Sequence, residues 1–312
     1  MRSRTWVGLL LVAACSDATA PGATLLRNGP VVYMHRNPTA GNVDIWRIDP
    51  DGSNALQLTP SGQDHVWPAL SSDGERVAFV SLDSPAGLYA MRIDGTDRRF
   101  LTSQVGDGSR LAWSPDSTRI AMAGYLAEGN GIAIVNADGT GYTQIGADSL
   151  GATSVAWSPD GRTLAFSTAL GVSYGYQASI YRMNTDGTNI TPIYVPTGDS
   201  GVLYPAWSPD GSHLAFAIGP MGSEMHIVVT NADGSGERAI TSAPMCGDST
   251  VYVNDINPSW SRDGGYLVFQ RERGPQPCSG SAATGTDVYL VHASGFGLTQ
   301  LTHDGTSFGP SW

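Results

Sequence analysis

One short pattern, Ala-Trp-Ser-Pro-Asp-Gly, recurs with small variations along the chain and constrains the fold more than any other feature. The copies are "PALSSDG" at 68–74, "LAWSPDS" at 111–117, "VAWSPDG" at 155–161, "PAWSPDG" at 205–211, "PSWSRDG" at 258–264 and a final "PSW" at 310–312. The aligned positions, spaced by 43, 44, 50, 53 and 52 residues, are Leu70, Trp113, Trp157, Trp207, Trp260 and Trp312. Such a period, with four strand-sized pieces in each unit, is typical of β-propeller blades.

Each repeat divides into four short strands. The first strand ends in the Trp, and Ser-Pro-Asp-Gly then forms a turn, because Pro suits the second turn position and Gly tolerates positive φ. The second strand, such as "TLAFST" at 163–168, alternates apolar and polar residues and therefore buries one face. A third strand ends in an Asp-Gly turn, and a fourth often ends in Leu-Thr or Ile-Thr. No stretch shows sustained helical periodicity, so the sequence predicts an all-β protein.

The two ends of the chain complete each other. Six third strands are present, but the unit that begins at Val31 has no Trp strand of its own, and "GPSW" at 309–312 is a Trp strand with nothing after it. We therefore predict a six-bladed β-propeller over residues 31–312, closed by pairing of the N-terminal strands with the C-terminal strand. This closure hides the open sheet edges of the ring.

The first residues have the pattern of an export signal. A basic start, "MRSR", precedes an apolar run, "TWVGLLLVAA", that is too short for a permanent membrane span. The stretch Val12-Ala13-Ala14-Cys15 resembles the bacterial lipobox, which predicts removal of residues 1–14 and lipidation of Cys15. The alternative is an ordinary signal peptide with an incidental cysteine. Small residues dominate 15–30, so we expect a flexible tether there.

The composition limits the classes of partner. Hydrophobic residues make up 41% of the chain, which indicates a folded rather than a disordered protein. The net charge is −11, every basic residue is Arg, and no basic stripe is present, so nucleic acid is excluded as a partner. We expect a monomer that has no cofactor and meets the membrane only through its lipid.

The combination of "PAWSPDG", "LAF" and "IYRMNTDG" resembles the repeats of TolB-type β-propellers, relatives of the WD-repeat propellers, over residues 31–312. The resemblance implies a six-bladed ring whose central channel binds peptides or proteins. TolB proteins carry an α/β domain ahead of the propeller, whereas here we expect only the tether. The interpretation is a non-enzymatic lipoprotein, anchored on the periplasmic or outer-membrane side of the bacterial envelope, that binds an envelope protein or peptide.

The strand directions divide the predicted loops between two faces. The Ser-Pro-Asp-Gly and Asp-Gly turns share one face, here called the short-turn face. The loops between second and third strands and the connectors between blades form the other, the variable-loop face, where sequences are long and differ. Because binding residues usually occupy variable loops on a rigid scaffold, we predict ligand contacts at the channel mouth on this face. The predicted contact residues are Asp64, His65, Trp67, Tyr204 and Asp255.

Aspartates also recur at equivalent connectors, at Asp64, Asp107, Asp148, Asp199, Asp255 and Asp304. A ring of carboxylates could hold a cation or a basic ligand group. The simpler interpretation is that each Asp caps a turn. No two histidines have metal-ligand spacing, so no metal site is predicted.

Two further features concern chemistry. "GVSYG" at 171–175 matches a nucleophile elbow, but that elbow needs a strand-to-helix turn on a parallel sheet, so Ser173 is not predicted to be catalytic. Cys246 and Cys278 lie in loops of the same face, and in an exported protein they suggest a disulfide, with free thiols as the alternative.

Two other functions stay open. One is a polysaccharide-active lyase or hydrolase that uses a metal in the channel, because some lyases resemble the same repeats. The other is a surface protein with a structural role.

Overall fold

The computed structural model describes residues 25–106, 108–126, 129–146, 150–168, 178–198, 200–220, 224–242, 251–275 and 285–312. The predicted signal, Cys15, Asp107, Asp148, Ser173, Asp199, Cys246 and Cys278 lie outside these residues. Within them no helix exceeds one turn, and none is long and apolar enough to cross a membrane.

Six four-stranded antiparallel sheets form the protein, as the repeat predicts. Blade 1 contains β1 (Val31–Arg36), β2 (Val43–Ile48) and β3 (Leu56–Gln57), together with the last strand, β24 (Ser307–Ser311). Blade 2 contains β4 (His65–Leu70), β5 (Arg76–Ser81), β6 (Gly87–Arg92) and β7 (Arg99–Thr102). Blade 3 contains β8 (Arg110–Trp113), β9 (Arg119–Leu126), β10 (Gly129–Asn136) and β11 (Thr143–Gly146).

The remaining blades follow the same order. Blade 4 contains β12 (Ala152–Trp157), β13 (Thr163–Thr168), β14 (Ile180–Asn184) and β15 (Thr191–Tyr194). Blade 5 contains β16 (Ser200–Trp207), β17 (His213–Pro220), β18 (His226–Asn231) and β19 (Arg238–Ala239). Blade 6 contains β20 (Val251–Trp260), β21 (Tyr266–Pro275), β22 (Gly285–His292) and β23 (Thr299–Gln300).

The ring closes through blade 1. Strand β24 pairs antiparallel with β1, which places Ser311 opposite Val32 and Phe308 opposite Met34. The first strands of the six blades contact one another around the circle, including β24 with β4 and β20 with β24. The predicted closure of the propeller by its two chain ends is therefore confirmed.

The core lies between neighbouring sheets. Fully buried aromatic residues of the second strands, such as Phe166 and Phe269, stack on tyrosines of the third strands. Phe269 and Trp260 of blade 6 pack against Ala215 and Ala217 of blade 5, so each interface joins two blades. Burial of a Phe or Trp side chain contributes several kcal/mol, and hence these interfaces hold the ring together.

The repeated Ser-Pro-Asp-Gly turn is stabilised by its own side chains. Ser158 donates a hydrogen bond to Asp160 Oδ1 (2.6 Å), and its Oγ accepts the backbone N–H of Thr163 (3.0 Å). The hydrogen bonds from Ser158 and Arg162 lower the pKa of Asp160. The same Ser–Asp and Ser–backbone bonds recur in the turns that begin at Ser71, Ser114, Ser208 and Ser261. The Ser and Asp of the motif are therefore turn residues.

In blades 3, 4 and 6 the Trp of the motif donates a hydrogen bond to the blade before it. The indole Nε1 of Trp113 donates to the carbonyl of Ala69 (3.0 Å), and that of Trp157 donates to the carbonyl of Ala112 (3.1 Å). Trp260 is bound in the same way to Ala206, also at 3.0 Å. These rings are wedged between sheets, as the spacing predicts.

Residues 25–30 pack against blades 1 and 6. In blade 1 the aligned Trp is Trp312. Beside it, buried Asn28 donates to Asp263 Oδ2 (3.0 Å) and accepts the N–H of Asp263 (2.9 Å). The carbonyl of Gly29 accepts the indole N–H of Trp312 (2.9 Å). The tether predicted over 15–30 is therefore wrong for its last residues, which belong to the fold.

We expect Asn28→Ala to destabilise the protein by about 1–3 kcal/mol, because the two hydrogen bonds between buried Asn28 and Asp263 are lost, one of them to a charged carboxylate. Chemical unfolding of the purified protein measures the effect. The matched control is Asn136→Ala, since Asn136 is exposed and its amide bonds the exposed Thr140; its effect should stay within about 0.5 kcal/mol. Equal stability of the two variants would contradict a docking role for Asn28.

Candidate functional site

The first strands of the six blades surround the central channel, and one position of each strand forms a ring there. This position, three residues before the aligned Trp, is occupied by Trp67, Arg110, Ser154, Tyr204, Asn257 and Gly309. All six residues, here called the channel ring, line one cavity.

Backbone geometry aims several of these residues at the axis. Trp67, Tyr204 and Asn257 have φ angles of 55°, 59° and 56°, and each precedes a proline. The strand pairing shifts register at these points, so each is a β-bulge that re-aims a side chain. Pro lacks an N–H and excludes the helical region for the residue before it, which suits a bulge. Bulky residues at positive φ are strained, and such strain clusters at binding sites.

Gly309 completes the ring for a steric reason. Its φ is 58°, and a Cβ at this position would overlap the side chain of Met34. A side chain here would therefore need the same left-handed backbone and a shift of the buried Met34 methyl group. The Trp67 indole lies 4.0 Å from the place that such a Cβ would take.

An arginine bridges two aromatic rings across the channel. The Cζ atom of Arg110 lies 3.4 Å from the ring centre of Trp67 and 4.7 Å from that of Tyr204. Its Nη2 also donates to the Tyr204 hydroxyl (3.3 Å). Blades 2 and 5, which carry the two aromatic residues, stand opposite each other in the ring. Burial lowers the pKa of Arg110, and the Tyr204 hydroxyl offsets part of that effect.

The cavity runs from the channel ring to the short-turn face. Its volume is about 460 Å³, within the range of pockets that hold small ligands. The walls carry Trp and Pro side chains, including Trp157, Pro159 and Pro209. Of the residues that the structure describes, none on the variable-loop side of the ring lines the cavity. The cavity therefore opens on the short-turn face, whereas the loop lengths predicted binding on the variable-loop face.

A comparison with protein families decides the identity of the repeat. The family model of the TolB beta propeller domain matches residues 28–248. This chain belongs to the TolB β-propeller family.

Curated relatives of this TolB-type propeller include the Tol-Pal system protein TolB of Alcanivorax borkumensis, 26% identical over 95 residues, which are 30% of this chain and 22% of that protein. The protein TolB homolog of Chlorobium chlorochromatii is 29% identical over 130 residues, 42% of this chain and 29% of the relative. The chain thus matches only about a third or less of the length of these relatives.

Solved structures share the fold. The crystal structure of TolB from Acinetobacter baumannii has a TM-score of 0.73 at 19% identity, covering 91% of this chain and 66% of that one. A putative TolB from Agrobacterium tumefaciens has a TM-score of 0.65 at 19% identity, covering 90% of both chains. An oligogalacturonate lyase in complex with manganese has a TM-score of 0.56 at 16% identity, covering 86% of this chain and 78% of that one.

The propeller brings together two of the five predicted contact residues. Trp67 and Tyr204 meet through Arg110, which the sequence analysis missed although it holds the same position relative to its Trp. Asp64 is half-buried, and its Oδ1 accepts the N–H of Val43 (2.7 Å), so it caps a strand of blade 1. A ligand role for Trp67, Tyr204 and Asp64 stays a prediction.

The placement of His65 and Asp255 at an open channel mouth is wrong. Both side chains are fully buried in the TolB-type ring. His65 packs edge-on against Phe79, with ring centres 5.5 Å apart. Asp255 forms two hydrogen bonds with the Arg271 guanidinium, at 2.6 and 2.7 Å.

The remaining connector aspartate in the described ranges also has a local role. Asp304 accepts hydrogen bonds from the backbone N–H of Thr306 and from the Ser307 hydroxyl. Together with the strand cap at Asp64, this favours the turn-cap interpretation over a ring of free carboxylates. No group of three His, Cys, Asp or Glu residues in the described part of the chain could hold a metal ion.

His65 should make this propeller sensitive to acid. Burial, helped by the charge of Arg98 and opposed by Asp64, lowers the pKa of His65 to about 4. Because this value is below the unfolded value near 6.5, the unfolded chain takes up the proton first, and stability is lost as pH falls from about 6.5 to 4. The loss from this group should be on the order of 3 kcal/mol.

His65→Phe tests this effect. The variant keeps an apolar ring and removes two buried ring nitrogens that have no hydrogen-bond partner in the part of the chain described. Urea unfolding at pH 7 and pH 4.5 should show a clearly weaker pH dependence than in the wild type. An identical dependence in both proteins would assign the acid sensitivity to other groups.

Proposed function

We propose that this TolB-type propeller is a non-enzymatic binding protein that takes a peptide, or a segment of a protein, into the channel cavity from the short-turn face. The observation that carries the proposal is the cavity itself, with Trp and Pro walls and the Trp67–Arg110–Tyr204 bridge at its inner end. Aromatic walls with a few oriented polar groups are the usual construction of a binding pocket. Membership of the TolB propeller family supports a protein partner.

We also propose that the protein is exported and held in the bacterial envelope as a monomer. The support is the sequence pattern of residues 1–15, with a basic start, a short apolar run and Val-Ala-Ala before Cys15.

A Cys246–Cys278 disulfide would suit that compartment. Mass spectrometry of the unreduced protein tests the pairing, and two alkylatable thiols beyond Cys15 would refute it.

We expect Cys15→Ser to release the protein from the membrane fraction, because the side chain that would carry the lipid is lost. Cell fractionation with immunoblotting measures this result, and the N-terminus of the mature wild type shows where the signal is cut. A wild type that is already soluble, or that begins at another residue, would refute lipidation at Cys15.

The similarity to an oligogalacturonate lyase concerns the fold, and a shared fold does not imply a shared reaction. The cavity is lined mainly by Trp, Pro and Ser with two arginines, and among the described residues no His, Asp or Glu lines it. This lining fits binding better than a metal-assisted reaction.

The channel proposal is tested by partner capture. The wild type, immobilised on a solid support, should retain a specific protein from envelope extract. Mass spectrometry identifies that protein. Trp67→Asn and Tyr204→Asn should each lose that protein at little cost in melting temperature, because Asn257 occupies the same ring position naturally with the same backbone conformation. The control is Ile190→Asn, an exposed position on the outer edge of blade 4. Equal capture by all four proteins would overturn the channel as the binding site.

A further inference from the structure

We propose that the channel cavity recognises a carboxylate group of its ligand, and that Arg110 is the residue that binds it. This inference rests on the proposed binding function and specifies the chemistry of the ligand. It follows from the charges that line the cavity, from the free donors of Arg110 and from the shape of the channel.

The charge lining the cavity is opposite in sign to that of the whole protein. The chain has a net charge of −11, yet the charged side chains that line the cavity are Arg110 at the inner end and Arg262 near the opening. In the part of the chain that the structure describes, no Asp or Glu side chain lines it. The guanidinium of Arg262 reaches across to blade 2, where a Cβ on Gly74 would overlap it. In an acidic protein, such a lining favours an anionic group within the channel.

Nearby carboxylates at the short-turn face are already occupied. Asp73 accepts the Ser71 hydroxyl and the N–H of Glu75, and Asp116 accepts the Ser114 and Thr118 hydroxyls. These bonds lower the pKa values of both aspartates, so they remain charged. Within the described residues, neither aspartate forms an ion pair with Arg110 or Arg262. The described residues place no carboxylate within 4.0 Å of Arg110.

Arg110 has donors available for a ligand. A guanidinium carries five N–H donors, and the described residues accept only one of them, through the Tyr204 hydroxyl. The aromatic rings of Trp67 and Tyr204 contact the faces of the guanidinium, so the N–H donors along its edge remain available to a ligand in the cavity. A carboxylate binds such an edge through two parallel charge-assisted hydrogen bonds. Because stacking already fixes the guanidinium, little side-chain entropy remains to be lost on binding.

The shape of the channel limits how a carboxylate can arrive. Arg110 spans the channel between blades 2 and 5, and the cavity extends only from that bridge to the short-turn face. A ligand must therefore enter from one side and present its carboxylate at the tip. Either the C-terminal carboxylate of a peptide or an Asp or Glu side chain at the tip of an inserted segment meets this requirement.

Four synthetic probes separate these sources. Acetyl-Ala-Pro-Phe is prepared with a free C-terminal carboxylate and as the amide, and acetyl-Ala-Pro-Glu and acetyl-Ala-Pro-Gln are both prepared as amides. Nitrogen-15 NMR follows the Arg110 Nε–H and the Trp67 indole N–H, assigned with Arg110→Gln and Trp67→Asn. At least one carboxylate probe should shift both signals saturably and bind about tenfold or more tightly than its neutral match, the usual effect of a charge-assisted hydrogen bond.

Variants assign the effect to Arg110. Arg110→Gln should abolish the difference between charged and neutral probes, while Arg110→Lys, which keeps the charge without the fork, should retain part of it. The ring already accommodates Ser154 and Asn257 at equivalent positions, so the Arg110→Gln protein, with its smaller side chain, should fold. Arg119→Gln is the matched control, because Arg119 stacks on Trp157 (4.7 Å) outside the cavity lining; it should bind like the wild type.

The outcomes distinguish this inference from the channel proposal. Equal binding of charged and neutral probes, binding that survives Arg110→Gln, or no shift with any probe would overturn carboxylate recognition. If Arg110→Gln keeps the envelope partner that Trp67→Asn and Tyr204→Asn lose, the carboxylate inference fails and the channel proposal stands. If none of these variants changes capture, the channel proposal itself fails.

Discussion

A variant that lacks residues 309–312 should not form a stable folded protein. The deletion removes the buried Trp312, whose truncation alone costs about 3–5 kcal/mol. It also removes the Ser311 hydroxyl that accepts the N–H of Leu70, and the N–H that Gly309 donates to Gln270. These losses are comparable with the whole stability of a domain, about 5–15 kcal/mol.

Circular dichroism melting and size-exclusion chromatography measure this result. We expect a melting temperature far below that of the wild type, or aggregation through the sheet edge exposed on β1. Trp207→Phe is the comparison within the repeat: the Trp207 indole N–H has no partner among the described residues, so an apolar ring should replace it at small cost. A truncated protein that melts like the full chain would contradict closure by the last strand.

Replacing Asp255 with Ala should cost about 3–5 kcal/mol, because it leaves the Arg271 guanidinium buried without its partner. Asp255 is fully buried and the Arg271 side chain is 13% exposed, stacked on Phe269 and Tyr289. Urea unfolding measures the loss. Substitution of a ligand-binding residue on the surface would instead leave the melting temperature nearly unchanged.

Two further variants test whether the loss in Asp255→Ala comes from the buried ion pair. The double variant Asp255→Leu with Arg271→Met should recover much of the stability, since a buried ion pair can be replaced by apolar residues of similar volume. Arg99→Ala breaks the exposed pair with Asp97 (2.9 Å), and its cost should stay below about 1 kcal/mol. An Asp255→Ala protein as stable as Arg99→Ala would refute the structural role.

The architecture was predictable because its signal is periodic. The spacing between the Trp and its turn recurs in blades 3 to 6, Leu70 takes the Trp position in blade 2, and the incomplete units at Val31 and at 309–312 fit together. Blade number and closure therefore follow from counting. The channel ring has the same period, and Arg110 could have been found by counting three residues back from Trp113, as Tyr204 is from Trp207.

Single contacts were not predictable in this way. The register shift between Val66 and Ala69 breaks the period-two alternation, so the side that Trp67 faces does not determine the side that His65 faces. Asp255 was misplaced because its partner, Arg271, lies on the paired strand and the spacing does not reveal that contact. Asn28 and Asp263 are 235 residues apart in sequence, and only the closed ring brings them together.

Docking of residues 25–30 beside Trp312 also fixes the face at which the N-terminal segment meets the propeller. The chain enters the propeller at the short-turn face, the same side on which the channel cavity opens. If Cys15 carries a lipid, the ten residues from Cys15 to Leu25 can span at most about 35 Å when fully extended. The cavity opening would then stay within about that distance of the bilayer surface, where a slender peptide segment reaches it more easily than a large folded domain.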